Sequence, residues 1–335
     1  MIRDQLAVPW VESPFFESIL RSKQLSSDEE RVARRYHEQG YTVLEGLLTE
    51  AEAQEIVREV APVYGPALEG PQNRHRAQDA WQKSPAVARL AAHPRVLQTL
   101  RFLYGREPFP FQTLNFPRGS QQAGHSDQIH FSALPARFMC GVWVALEDVS
   151  GDNGPLFYYP GSHQLPEYDL YDLDITAEPP DYAAYERTVA ALMEERGFKR
   201  EELRVKAGTG LIWSSNIVHG GMPIAREGAT RHSQVTHYYF DGCLYYTPMH
   251  SNRTVGAYEL REHIIDITTG AEVKQTWNGR PFAVRFAGRH RKRIELTDEP
   301  RMGVLESMRR DIATGDGPLS RILRTGWHLL KVLRR

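Results

Sequence analysis

The feature that most constrains this chain is a succession of short apolar and aromatic runs between about residues 109 and 240, each closed by turn residues. FQTLNF, FMCGVWVALEDV and PLFYYP follow one another, with GDNG at 151–154 as the clearest break, and GLIWSSNIVHGG and SQVTHYYF resume the pattern. Runs of this length, rich in β-branched and aromatic residues and bounded by Gly, Pro, Asn and Asp, read as strands. Several of them in series imply an antiparallel sandwich or jelly roll. The expected fold is therefore mainly β with flanking helices.

The flanks read differently. Residues 27–64 have helical character, with Ser27/Glu30 and Thr49/Glu52 as capping-box pairs and YTVLEGLL as a short strand between them. Residues 76–104 carry Ala, Val and Leu at helical spacing. The division expected is an N-terminal helical region at 1–108, a jelly-roll core at 109–284 and a basic helical extension at 285–335. Within the core, residues 164–205 interrupt the strands with an acidic, aromatic stretch and a helix candidate, DYAAYERTVAALMEERGF. An excursion of that length between core strands is often a lid. It offers Tyr168, Tyr171, Tyr182 and Tyr185.

Charge and cysteine content exclude some classes. A net charge of −1 is no basis for bulk nucleic-acid binding. Two cysteines, Cys140 and Cys243, make no disulfide framework, and a reducing, cytoplasmic compartment is the expectation. No apolar run approaches a membrane span or a secretory signal. The last stretch, PLSRILRTGWHLLKVLRR, places leucines on one helical face and arginines elsewhere. It reads as a helix packed on the body, or as a peripheral contact with an anionic membrane surface or an acidic partner.

The chemistry concentrates in AGHSDQIHF, residues 123–131. On an extended strand His125 and Asp127 point to one side, because side chains alternate with a period of two. His130 would then face the other way. His219, in the distant strand-like run NIVHGG, supplies a third group. Two histidines and one carboxylate form the facial triad that leaves open positions on iron(II). His163, His232 and His237 read as structural, as do the PGSH and NGP turns. Arg74, His75 and Arg76 form a small basic cluster ahead of the β region.

The chain resembles the phytanoyl-CoA dioxygenase family of iron and 2-oxoglutarate enzymes. The matching elements come in family order: YHEQGYTVLEGLLTEAEA, FQTLNFPRGS before HSD, VWVALEDVSGDNGPLFYYPGSH, GTGLIWSSNIVHGG and ATRHSQVTHYYF. The resemblance implies a double-stranded β-helix (cupin-like) core. It implies iron(II) on His125, Asp127 and His219, with 2-oxoglutarate and dioxygen as co-substrates. It assigns Arg231, twelve residues beyond His219, to the far carboxylate of 2-oxoglutarate. A guanidinium meets a planar carboxylate with two parallel hydrogen bonds. Ser233 adds a hydrogen bond, and Gln112 and Trp143 line the co-substrate. Related halogenases carry a small residue where Asp127 stands, so the implied outcome is hydroxylation of a small-molecule, lipid or sugar-type metabolite. Desaturation, cyclisation or epimerisation on the same cofactors is the nearest alternative. A non-catalytic jelly-roll binding module and a zinc hydrolase or isomerase are the alternatives from other classes.

Overall fold

The computed structural model describes residues 7–65, 76–177, 179–286 and 291–296. Helices come first. After α1 (Phe16–Ser22) and α2 (Ser27–Gln39), strand β1 (Tyr41–Leu44) leads to α3 (Glu50–Tyr64), β2 (Ala77–Gln78), α4 (Pro85–Ala91) and α5 (Pro94–Tyr104). Strands β3 (Pro108–Phe116), β4 (Ser132–Leu134), β5 (Met139–Ala145) and β6 (Leu156–Tyr158) precede α6 (Tyr182–Glu195). Then come β7 (Glu201–Glu202), β8 (Gly210–Ser214), β9 (His219–Gly221), β10 (Ser233–Phe240) and β11 (Leu244–Tyr246), with β12 (Phe282–Phe286) and β13 (Lys292–Leu296) as a final hairpin.

The major sheet is antiparallel, in the order β1-β8-β5-β10-β3-β2, and a smaller sheet has the order β7-β6-β9. Strands β5, β8 and β10 of the major sheet are buried along their whole length, on both faces. Alternation still sorts them. Cys140, Val142, Val144, Ile212 and Tyr238 pack against the helices, with Val60, Leu90 and Leu100. Trp143, Ala145, Leu211, Trp213 and Val235 pack the other way, with Leu156 and Tyr158 of β6. The second cluster is the interior of the jelly roll, and the candidate site opens from it.

Register then aligns one row across four strands. Gln112 on β3 opposes His237 on β10, His237 opposes Gly141 on β5, and Gly141 opposes Trp213 on β8. Directly opposed residues share a face of the sheet, so this row lies on the interior side.

Three local expectations change. The α2 capping box is Ser26 with Glu29, one residue earlier than Ser27/Glu30, because Ser26 keeps an extended backbone (φ −67, ψ 161) while Ser27 is already helical. The Thr49/Glu52 box at α3 forms as expected. The 76–104 stretch is not continuous helix. Residues 77–78 pair with β3, and His93 caps a fresh helix with Pro94 at its first position. From Arg285 the chain continues a hairpin instead of entering a helix, and the amphipathic stretch at 318–335 lies outside the described residues. Among the described residues no helix is long and apolar enough to cross a membrane. Both cysteines are free and buried.

Candidate functional site

Two chain segments meet at His125 and His219. They form an isolated antiparallel bridge, in which each backbone N–H donates to the other's carbonyl at 2.9 Å. Opposed residues in such a pair project to one side, and the two imidazole centroids lie 4.7 Å apart. The extended strand expected through Asp127 stops one residue short of it. Ser126 is still extended, but Asp127 opens a 3-10 turn to Ile129, and its carbonyl accepts from the N–H groups of His130 and Phe131. That turn brings the Asp127 carboxylate over the bridge. Its Oδ1 is 3.7 Å from His219 Nε2 and 4.0 Å from His125 Nε2. The candidate ligand atoms of His125, Asp127 and His219 all lie within 4.8 Å of one another, and all three residues are buried.

The hydrogen bonds fix which atoms face inward. His125 Nδ1 lies 2.9 Å from Ala123 O, and His219 Nδ1 lies 3.1 Å from Ile217 O. A carbonyl can only accept, so each Nδ1 carries the proton and each Nε2 presents its lone pair to the cluster. Burial pushes the His125 imidazole down to about 3, keeping it in the neutral form that binds metals. Burial opposes the charge of Asp127 too, but the positive charge that the neighbouring His219 and His237 rings carry when protonated in acid outweighs it and holds the carboxyl well below the usual range. Two neutral nitrogens and one carboxylate oxygen therefore converge, a donor set suited to a divalent iron-like ion with open positions.

The second carboxylate oxygen is engaged elsewhere. Trp213 Nε1–H donates to Asp127 Oδ2 at 2.7 Å, and His237 Nε2 lies 3.5 Å from the same atom. The indole reaches it by lying across Gly141, where an added Cβ would overlap the Trp213 ring. Gly141→Ala is expected to push the indole off Asp127, lower stability by about 1–3 kcal/mol through overpacking, and weaken metal binding. Thermal unfolding and manganese(II) titration check this. Unchanged affinity in the folded variant would show the indole contact to be dispensable.

Beside the cluster lies a cavity of about 200 Å³, lined among others by Gln112, Leu114, Phe116, Trp143, Leu156, Arg231 and Val235. Arg231 is 2% exposed, and its Nε and Nη1 have no hydrogen-bond partner. Its guanidinium lies 5.4 Å from the Trp143 ring centre. Burial lowers its pKa to about 10, partly offset by Glu147, so it remains cationic at neutral pH. A buried cation with unsatisfied donors is costly unless an anion meets it. Trp143 Nε1 and Ser233 Oγ are also buried donors without a partner. Ser233 is not among the residues that line the cavity, whereas Gln112 and Trp143 are.

The outer end of the cavity is polar, with Arg76, Gln78, Gln122 and His130 beside Phe131. Of the small basic cluster, Arg74 and His75 lie outside the described residues. His130 does not join the three converging groups. Its Nε2 lies 3.1 Å from Tyr182 Oη at the start of α6. Tyr185 Oη lies 3.0 Å from Ser126 Oγ, so the excursion does reach the site. Its first half is clamped. Arg137 donates to the carbonyls of His163 and Leu165, and Arg253 donates to Asp169 Oδ2 and Asp172 Oδ2. The PGSH turn is structural as expected, since Ser162 Oγ accepts from Val218 N–H and so braces the strand beside His219.

His237, read as structural and not as a ligand, stays outside the three-residue cluster but has its Nε2 3.5 Å from Asp127 Oδ2. The signal for it was strand parity. It lies six residues beyond Arg231 and shares the period-two phase of Ser233 and Val235.

Fold and site together define a jelly roll of the double-stranded β-helix type with a two-histidine, one-carboxylate cluster. The description of the phytanoyl-CoA dioxygenase (PhyH) family matches residues 36–233, and the chain belongs to that family. Ectoine dioxygenase of Sphingopyxis alaskensis is 29% identical over 157 residues, 41% of this chain and 49% of that protein. Phytanoyl-CoA dioxygenase domain-containing protein 1 of Danio rerio is 31% identical over 83 residues, 24% of this chain and 28% of that protein. The chain thus spans half or less of the length of these curated relatives. Among solved structures, the carbocyclase SnoK from nogalamycin biosynthesis superposes with a TM-score of 0.54 at 20% identity, over 75% of this chain and 94% of that one. The epimerase SnoN, solved with Fe3+, alpha-ketoglutarate and nogalamycin RO, gives 0.51 at 25% identity, over 65% of this chain and 86% of that one.

Proposed function

We propose that the protein is an iron(II)- and 2-oxoglutarate-dependent oxygenase that hydroxylates an unactivated C–H bond of a small molecule. The observation that carries this reading is Arg231. A buried guanidinium with two unsatisfied donors shares one cavity with His125, Asp127 and His219. A dicarboxylate that chelates a metal at one end and meets a guanidinium at the other answers both features at once.

Iron(II) and 2-oxoglutarate, when bound, would supply the oxidising power from dioxygen, with succinate and carbon dioxide as co-products. The residues do the rest. His125 and His219 present Nε2, and Asp127 presents Oδ1. Arg231 anchors the far carboxylate, and Leu114, Phe116, Leu156 and Val235 keep that end dry. At about 200 Å³ the cavity falls below the roughly 300–1,000 Å³ of pockets that enclose a whole drug-sized ligand. The substrate therefore inserts only its reacting end, while Arg76, Gln78, Gln122 and His130 meet the remainder. These side chains favour a molecule with hydrogen-bonding groups over a bare hydrocarbon chain.

Anaerobic titration with iron(II) and 2-oxoglutarate is expected to produce the visible charge-transfer band of a chelated oxo acid. Aerobic incubation is expected to release succinate, faster with substrate. Absence of both would sink the proposal. SnoN, at 25% identity, is an epimerase, and that likeness favours a second reading in which the same site epimerises its substrate. Product mass separates the two: hydroxylation adds one oxygen and epimerisation adds nothing.

A further inference from the structure

We propose that His237, held by Gln112, is a positioning residue. With Trp213 it occupies Asp127 Oδ2 and so confines the carboxylate to one-oxygen ligation through Oδ1. The inference rests on the metal reading above and adds residues to it.

A carboxylate can bind a metal through one oxygen or two. Binding through both would take a position that the chemistry needs, because a facial triad leaves three places and the oxo acid and dioxygen use all of them. Something must therefore occupy the second oxygen. Trp213 Nε1–H meets Oδ2 at 2.7 Å, and His237 Nε2 stands 3.5 Å from the same atom. Oδ1 alone faces the Nε2 atoms of His125 and His219.

The ring of His237 is itself fixed, since its Nδ1 lies 3.0 Å from Gln112 Oε1. The Gln112 amide can present either its oxygen or its NH2 to that nitrogen. With the NH2 toward Nδ1, the amide donates to Nδ1 and the neutral ring carries Nε2–H. It is the arrangement with the NH2 toward Nδ1 that directs an N–H at Oδ2.

The backbone makes this arrangement repeatable. Gln112, His237, Gly141 and Trp213 are successive partners across β3, β10, β5 and β8. With no side chain on Gly141, the two donors flank a gap and lean over it toward one oxygen. His237 is 3% exposed and Trp213 2% exposed, so water does not readily replace either donor.

The test compares His237→Phe, which keeps the ring and loses the donor, with Gln112→Leu, which removes only the brace, and with His237→Gln, which restores an N–H. Each purified full-length variant is titrated anaerobically with cobalt(II), whose visible absorption reports coordination number. His237→Phe is expected to lose about 10- to 100-fold in metal affinity and to change its visible bands before any 2-oxoglutarate is added. Gln112→Leu is expected to move the same way by less, and His237→Gln to recover part of the loss. An unchanged affinity and spectrum in folded His237→Phe overturns the proposal. If that variant does not fold, an unchanged Gln112→Leu does so. A lower melting temperature with an unchanged spectrum also overturns it, since that marks a role in packing alone. Failure of the parent protein to bind cobalt(II) would instead overturn the oxygenase reading itself.

Discussion

Replacing Asp127 with alanine is expected to abolish metal-dependent conversion of 2-oxoglutarate to succinate. The substitution removes the one anionic member of the cluster, leaving two neutral imidazoles to face a dication. Changes in groups that merely support ligands cost 10- to 100-fold in affinity, so loss of a ligand itself is expected to exceed about 100-fold. His125→Ala is expected to behave in the same way. Asp127→Ala carries a second effect. Trp213 Nε1–H loses its buried acceptor, at a cost of about 1–3 kcal/mol of stability. Succinate can be followed by mass spectrometry and stability by thermal unfolding. If either variant retains near-parental succinate formation with iron(II), the ligand assignment is wrong.

Arg231→Met is expected to act in opposite directions on two measurements. The ligand-free protein should become more stable. An apolar side chain of similar reach removes a buried, unsatisfied charge, and such exchanges are often neutral or stabilising by about 1–4 kcal/mol. Affinity for 2-oxoglutarate should fall by about 30-fold or more, from the roughly 2 kcal/mol or more lost when one member of a buried charge pair is removed. For the parent, 2-oxoglutarate at a hundred times its Kd should add about 2.7 kcal/mol of stability by mass action. In the variant at the same concentration that ligand-dependent rise should fall to about 0.9 kcal/mol or less, while the starting melting temperature climbs. An undiminished rise in Arg231→Met would separate Arg231 from the co-substrate.

Much of the fold was legible because strands buried on both faces leave an unmistakable mark. SQVTHYYF became β10 with its bounds unchanged, and FMCGVWVALEDV contains β5, which stops at Ala145 before LEDV. The convergence of His125, Asp127 and His219 was legible too, although by a different path. The period-two argument places His125 and Asp127 on one side, but the chain achieves this by a bridge followed by a 3-10 turn. Local hydrogen bonds decide that turn, and no spacing announces it. The second layer of the site was less legible, because it depends on register. Nothing local to Gly141, Trp213 or His237 says that they oppose one another, and a slip of one residue would turn each to the other face. The capping box of α2 was ambiguous for a simpler reason: Ser26/Glu29 and Ser27/Glu30 both satisfy the pattern.

The bridge between His125 and His219 bears on where this protein obtains its metal. Their backbones are already locked together by paired hydrogen bonds, and their rings are already oriented by Ala123 O and Ile217 O. The two nitrogens are thus oriented by the fold's own hydrogen bonds. A rigid nitrogen-and-oxygen receptacle ranks divalent ions largely by their intrinsic order of affinity, in which nickel, cobalt and zinc all exceed iron. The ion found after purification will then reflect the supply in the producing cell and the buffers used. Activity should be sought only after the protein has been stripped and reloaded with iron(II).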